Sequence, residues 1–551
     1  MLRNKTLLLF QVLVSKSGKC CLSFSHTRNN LFVSRRQSIQ CSVSKLRYIH
    51  CNCSATQKTT LSHPTLYSKE EIQSYYEPVI GIEVHVQLAT DTKTFCPCPT
   101  RFGAKPNSNV CPICLGFPGT LPLLNRKVLE LATRAAVALN CEVALNTKFD
   151  RKNYFYPDTP KNYQISQNDR PLGRNGYITL PSGRNIRIQR VHMEEDSGKM
   201  LHQGASSLTG STHTFIDYNR AGIPLIEIVS EPDISSPVEA AEYGEELRRI
   251  MRYIDISDCN MEEGTMRLDV NISLRPKGEE TFGTKVELKN INSFHFVSRA
   301  VEYEIIRQGS LLLQREKPIQ ETRLWNEKSQ STLTMRVKEG ASDYRYFPEP
   351  DIPPIQLEPS QVDDIRRTME ELPSAKRKRY LEEYGLSVYD ANNVVNEPSI
   401  AKFFEATVRH GVAPKLVVNW IMSDIMKYLN QKRIEITETK LSCESLAELI
   451  SLIENKTITG RIAKDILPIL MERGGSVTTI VEERGLQQLT DKNKLEELVK
   501  TTIASYPKEV ELYKSGKTKL LGFFVGQVMK SSGGKADPVL TNQLVKECLS
   551  Q

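Results

Sequence analysis

Residues 79–88, VIGIEVHVQL, alternate apolar and polar side chains, and no other feature restricts the fold as much. Strand side chains point to opposite faces with period two, so Ile82, Val84, Val86 and Leu88 can enter a core while Glu83, His85 and Gln87 share the other face. That face aligns a carboxylate, an imidazole and an amide. Taken alone it reads either as the wet side of a half-buried strand or as part of a site.

The same period recurs at 186–192, 225–229, 267–274 and 285–288, between Gly, Pro and Asn breaks. In RLDVNISL (267–274), Leu268, Val270, Ile272 and Leu274 make one apolar face and the opposite face is wholly polar. Strands of this kind predict a curved antiparallel sheet with helices packed on one side and a polar concavity on the other. Asn125 is placed to cap a helix whose Val128, Leu129, Ala132, Ala135, Ala136 and Leu139 recur at helical spacing. Ser236-Pro237-Val238-Glu239 reads as a capping box with proline at the first helical position, opening a helix that runs to about Tyr253.

Beyond the boundary-like run PDIPP (350–354) the pattern turns helical at 366–384, 401–430 and 445–473, then at 492–505, 507–515 and 519–530. The 551 residues suffice for several cores. The expected fold is therefore α+β and multidomain. A presequence and linker (1–60, with polar chain to about 75) precede a β-rich cradle with packed helices (76–360), a helical domain (363–480) and a small all-α tail (481–551).

The formal charge of +8 suggests a nucleic-acid partner until its distribution is read. Residues 1–69 hold eleven Lys and Arg and no Asp or Glu, which leaves 62 basic against 65 acidic residues, a net of −3, in the rest. An acid-free stretch rich in Arg, Lys and Ser reads as an organelle transit peptide or as a basic arm that binds RNA. Any polyanion must be held by local patches of the folded part. One such patch lies at 507–536, where Lys508, Lys514, Lys517, Lys519, Lys530 and Lys535 face only Glu509 and Glu511. It suits phosphate contacts or a solvated charged face. No apolar run reaches membrane-spanning length.

Five of the 13 cysteines (Cys20, Cys21, Cys41, Cys51, Cys53) fall in the presequence region. Of the other eight, Cys96, Cys98, Cys111 and Cys114 form C-x-C, twelve residues, then C-x-x-C, with Pro97, Pro99 and Pro112 favouring tight turns. Four thiolates so placed suit tetrahedral zinc with no open position, a structural ion; a disulfide pair is the alternative.

Acids in strand or turn contexts come from HMEEDSGK (192–199) and LIEIV (225–229). Glu227 lies in an otherwise apolar strand and, if buried, needs a cation or hydrogen bonds to stay ionised. With Glu83, His85 and one of Glu194 or Glu195 it would make an oxygen-rich site suited to magnesium or manganese. The alternative is separate, exposed or paired carboxylates. In FDRKNYFYPD (149–158) cations alternate with aromatics, so Arg151 and Lys152 could meet phosphates beside stacking tyrosines, or the rings could pack beneath a loop. The sequence has neither a G-x-x-x-x-G-K-[ST] loop nor a G-x-S-x-G elbow.

The strings VIGIEVHVQL, FDRKNYFYPDTPKNYQISQ, HMEEDSGK, RAGIPLIEIVSEPDI, MEEGTMRLDVNISLRP, ELKNINSF and DYRYFPEPDIPP closely resemble the B subunits of tRNA-dependent aspartyl/glutamyl amidotransferases, from about Glu77 to the C-terminus. The resemblance implies a carbon–nitrogen ligase with glutamine as amido donor, in a heterotrimer with an amidase A subunit plus a small C subunit. In that family the B subunit uses ATP and magnesium to activate the glutamyl side chain of misacylated Glu-tRNA(Gln), and ammonia displaces the phosphate. It further implies that Glu83, His85, Glu195 and Glu227, with Glu194 adjacent, hold magnesium. Lys152, with Arg151 beside it, would lie near the activated carboxylate, and Cys96, Cys98, Cys111 and Cys114 would form a zinc knob. A YqeY-like tail would contact tRNA, here through Lys517, Lys519, Lys530 and Lys535. With the acid-free N-terminus, a mitochondrial matrix location follows as an expectation. The competing reading is a non-catalytic tRNA-binding scaffold with a zinc knob.

Overall fold

The computed structural model describes residues 67–204, 211–337, 344–485 and 492–550, and the backbone of a two-stranded pair, Gln11–Val14 with Cys20–Ser23. Apart from that pair, the expected transit peptide and the linker up to residue 66 lie outside the described residues.

The last part of the expected linker is a helix, Lys69–Tyr75, closed by a reciprocal cap between Ser68 and Glu71. Its Ile72 is fully buried against Gly309, where any Cβ would collide with the Ile72 side chain. One apolar residue in a polar stretch carried too weak a periodicity to announce this docking.

The centre of the molecule is a nine-stranded sheet. Its spatial order is Ser331–Val337, Glu321–Asn326, Val286–Ile291, Met266–Pro276, Tyr76–Gln87, Pro224–Ser230, Asn185–Glu195, Gly173–Thr179 and Glu142–Val143. Tyr76–Gln87 is thus an inner strand, paired antiparallel on both sides. One pair, Val286–Ile291 with Glu321–Asn326, is parallel, because the helix Phe294–Leu313 carries the chain back to the starting end of the sheet. The alternation of 79–88 is realised: Ile82, Val84 and Val86 are buried with Val191, Met193, Ile226, Ile228, Leu268, Val270 and Ile272. The helices Arg126–Ala138, Pro237–Tyr253 and Phe294–Leu313 add side chains to the same core. Each such aliphatic side chain contributes about 1.5–3 kcal/mol on burial, which locks the strands against a one-residue slip.

Asn125 and Ser236 cap their helices as the sequence suggests. The box at Ser236 is only half made, since the Glu239 carboxylate accepts from the Ser235 N–H and hydroxyl instead of the Ser236 N–H. A second core, centred on Tyr380, Phe404, Ile421, Leu446 and Ile466, belongs to the helical region. There the runs 366–384 and 401–430 are cut into shorter helices that restart at Pro373 and Pro414. A third core (Leu495, Val499, Phe524, Val528, Leu544, Val545) holds the tail, whose last helix, Pro538–Ser550, the spacing did not announce.

Candidate active site

Register across four strands assembles the polar face. His85 stands opposite Glu227 on one side and Arg267 on the other, and Glu227 in turn stands opposite His192. One pleat away, Gln87, Leu225 and Glu194 are aligned, and on the opposite flank Glu83 faces Asp269. Side chains in register share a face, so residues more than a hundred positions apart become neighbours.

His85, Glu194 and Glu227 bring one ligand atom each within 4.8 Å of one another. His85 Nε2 lies 3.3 Å from Glu227 Oε2 and 3.5 Å from Glu194 Oε1. The buried His192 extends the group, its Nε2 being 3.4 Å from Glu227 Oε2 while its Nδ1 has no hydrogen-bond partner among the described residues. Burial works against the charge on Glu227, yet His192, His85 and Lys152 hold it well below the usual carboxylate range. Glu194 is likewise held low, against burial, by His192 and Lys152. Burial also opposes the charged form of His85, but Glu227 and Glu194 outweigh it and keep the imidazole above its ordinary value. A donor set of carboxylate oxygens with imidazole suits magnesium or manganese.

The cluster opens into a cavity of about 400 Å³ lined by His85, Lys152, Glu194, Arg267, Asp269 and Lys289 among others. That volume can take a nucleotide-sized ligand. Lys152 is half-buried there, its Nζ 5.1 Å from the Tyr344 ring centre, and no carboxylate of the described residues lies within 4 Å of its ammonium. Burial opposes its charge, and Glu194 and Glu227 more than offset that, so Lys152 stays protonated beyond the ordinary lysine range.

The remaining expected residues fall elsewhere. Glu83 is on the same face but groups with Asp269 and Glu287, accepts from Asn271 Nδ2 at 2.9 Å, and is pushed up by burial and by Glu227 and Asp269. Glu195 leaves on the other side of the sheet, where it pairs with Lys161 and accepts the Ile165 N–H at 2.9 Å. Arg151 does not enter the cavity: its guanidinium clasps Glu349 at 2.7 and 2.8 Å and lies 4.3 Å over the Tyr163 ring. Gln87 donates to Asp196 at 2.9 Å, which Arg267 also holds at 2.9 Å. His192, Arg267, Asp269 and Lys289 were not singled out from sequence; the polar alternation of 267–274, and His192 two residues before Glu194, were the signals available.

The four cysteines converge, with their sulfurs within 4.8 Å of one another. Tetrahedral Zn–S bonds of about 2.3 Å require sulfurs roughly 3.8 Å apart, so the cluster fits zinc. Hydrogen bonding to Cys96, opposed by burial and helped by the Cys111 N–H and Lys93, pulls the Cys114 thiol down to about 4, while burial pushes Cys98 up to about 11. In the tail, Lys517, Lys519 and Lys530 are exposed and Lys535 is half-buried.

Residues 78–363 match the family described as the GatB/GatE catalytic domain, and residues 402–549 match that described as the GatB domain. The chain is 53% identical over 486 residues to the aspartyl/glutamyl-tRNA(Asn/Gln) amidotransferase B subunit of Trichodesmium erythraeum, covering 87% of this chain and 98% of the relative. It is 52% identical over 492 residues to the protein of the same name from Acaryochloris marina, covering 88% of this chain and 100% of the relative. To that from Thermosynechococcus vestitus it is 54% identical over 483 residues, covering 86% and 97%.

Proposed function

Given that the chain belongs to the family of tRNA-dependent amidotransferase B subunits, and so to a glutamine-dependent carbon–nitrogen ligase, we propose that it activates the glutamyl side chain of misacylated Glu-tRNA(Gln) with ATP and amidates it. A carboxylate is a poor acyl donor until phosphorylated. Its oxygen takes the terminal phosphoryl group of ATP, ADP leaves, and ammonia then displaces phosphate to give the amide. The ammonia comes from glutamine through an amidase partner, the A subunit, while a small third protein, the C subunit, completes a heterotrimer.

The observation that carries this reading is the convergence of His85, Glu194 and Glu227 at the edge of a cavity that also holds the charged Lys152. Those three residues would hold magnesium, which when bound neutralises phosphate charge. Lys152, Arg267 and Lys289 offer the cationic wall against which the phosphoryl group and the carboxylate can be held in line. Among the described residues no carboxylate lies within 4 Å of the Lys152 ammonium, so its N–H groups can meet an anionic substrate. The cysteine knob would hold structural zinc, and the tail lysines would meet the tRNA body.

Transamidation by the purified heterotrimer tests the reading, with ADP and Gln-tRNA(Gln) measured separately and ATP or magnesium omitted in turn. Glu227→Gln is expected to abolish both products; if it supports both at wild-type rate, the scaffold reading replaces this one. The acid-free stretch 1–69 supports import into the mitochondrial matrix, and a reporter carrying those residues but failing to reach mitochondria would refute that.

A further inference from the structure

Lys93 is fully buried, a costly position for an ammonium without a counter-charge. Its Nζ donates to the Tyr218 carbonyl at 3.2 Å and lies 3.7 Å from Cys114 Sγ. Neither of these is a carboxylate, and no described acid lies within 4 Å of it. The backbone of Lys93 belongs to the turn that carries the first cysteine pair, its N–H donating to the Cys98 carbonyl at 3.0 Å. Gly222 closes the other side at φ +85°, where an added Cβ would lie 3.5 Å from Lys93 Cδ and 3.7 Å from Cys114 Cβ. The ammonium is therefore walled in against one sulfur.

A zinc ion bound by four thiolates carries a formal charge of −2, spread over the sulfurs. We propose that Lys93 is the built-in counter-charge of this centre: its ammonium donates to the Cys114 thiolate, neutralises half of that charge, and so raises metal affinity. This makes it a positioning residue, acting on the metal through a ligand. The same contact explains why the protein tolerates the buried lysine, since the ammonium and the sulfur beside it carry opposite charges. The inference rests on the reading of the knob as a zinc site.

The test uses the full chain in its complex, loaded with zinc and titrated with a competing chelator at fixed pH and ionic strength. Lys93→Met and Lys93→Gln remove the charge at similar length, and each is expected to release zinc at least about tenfold more readily than wild type, the effect typical of losing an outer partner of a metal ligand. In the cobalt-substituted proteins the sulfur-to-metal charge-transfer band is expected at lower energy in both variants, because an unneutralised thiolate gives up electron density more easily. A merely space-filling lysine would leave that band in place. Unchanged affinity and an unchanged band in whichever neutral variant is folded overturn the proposal. A wild-type chain that takes up no zinc overturns it together with the reading of the knob, so the two failures are told apart.

Discussion

Glu194 and Glu195 are adjacent in the chain yet serve opposite sides of the sheet: Glu194 stands 3.5 Å from His85 Nε2 over the cavity, while Glu195 pairs with Lys161 beneath it. Strand geometry requires this, since consecutive side chains alternate in direction. The polar run HMEEDSGK thus supplies two different environments from neighbouring carboxylates.

Glu194→Gln is accordingly expected to weaken divalent-cation binding by at least about tenfold, as removal of a direct ligand must cost no less than removal of an outer one. Glu195→Gln should leave cation affinity within about twofold, because its carboxylate is committed to Lys161 and the Ile165 N–H. Manganese titration of the assembled complex, followed by electron paramagnetic resonance, measures both. Equal losses in the two variants would sink the division of roles.

Lys152 and Arg151 should also separate. Lys152→Met is expected to lower kcat for ADP formation by about 10²–10³, the range for losing one preorganised donor to a developing charge, without loss of thermal stability. Arg151→Ala should do the reverse, costing about 2–3 kcal/mol by freeing the buried Glu349 from its bidentate partner while the cavity lining stays intact. Steady-state rates and thermal melts of the two variants, side by side, decide this.

In the helical region, burial disfavours the charge on Glu405, but Lys376, Tyr380 and Arg379 outweigh it and hold the carboxyl below its ordinary value of 4.5. A depressed carboxyl contributes stability that is present above the unfolded-state value and is lost as pH falls through the folded one. Glu405→Gln is therefore expected to cost about 2 kcal/mol near neutrality, with the gap to wild type closing as pH falls below about 4.5. Urea midpoints between pH 7 and 3 measure the gap; one that widens in acid contradicts the assignment.

Charge reversal at Lys517, Lys519 and Lys530 should weaken tRNA binding uniformly and shallow its salt dependence, by about 0.7–0.9 in slope for each phosphate no longer neutralised. Filter binding across a salt series reads both quantities. An unaltered slope would return these lysines to an ordinary solvated face.

Much of the scaffold could be read directly. Period-two alternation located the inner strand 79–88 and the partner 267–274, and cap residues placed the starts of two helices, because these signals are local and recur within a few residues. Helix lengths in the region past 363 were less legible: Pro373 and Pro414 restart helices inside runs whose periodicity looked continuous. The parallel pair in an otherwise antiparallel sheet depends on where a 20-residue helix delivers the chain, which no local pattern records.

The sequence by itself determined which residues of each strand share a face, which four cysteines can close on one ion, and, through long matching strings, the family. Tertiary structure alone decided which acids meet. Register between strands far apart in the chain sets His85 opposite Glu227 and Glu227 opposite His192, chooses Glu194 over Glu195 for that side, and turns Glu83 toward Asp269. The reason is physical: side-chain direction is a property of one strand, whereas proximity across a sheet follows from pairing that the buried apolar face enforces cooperatively.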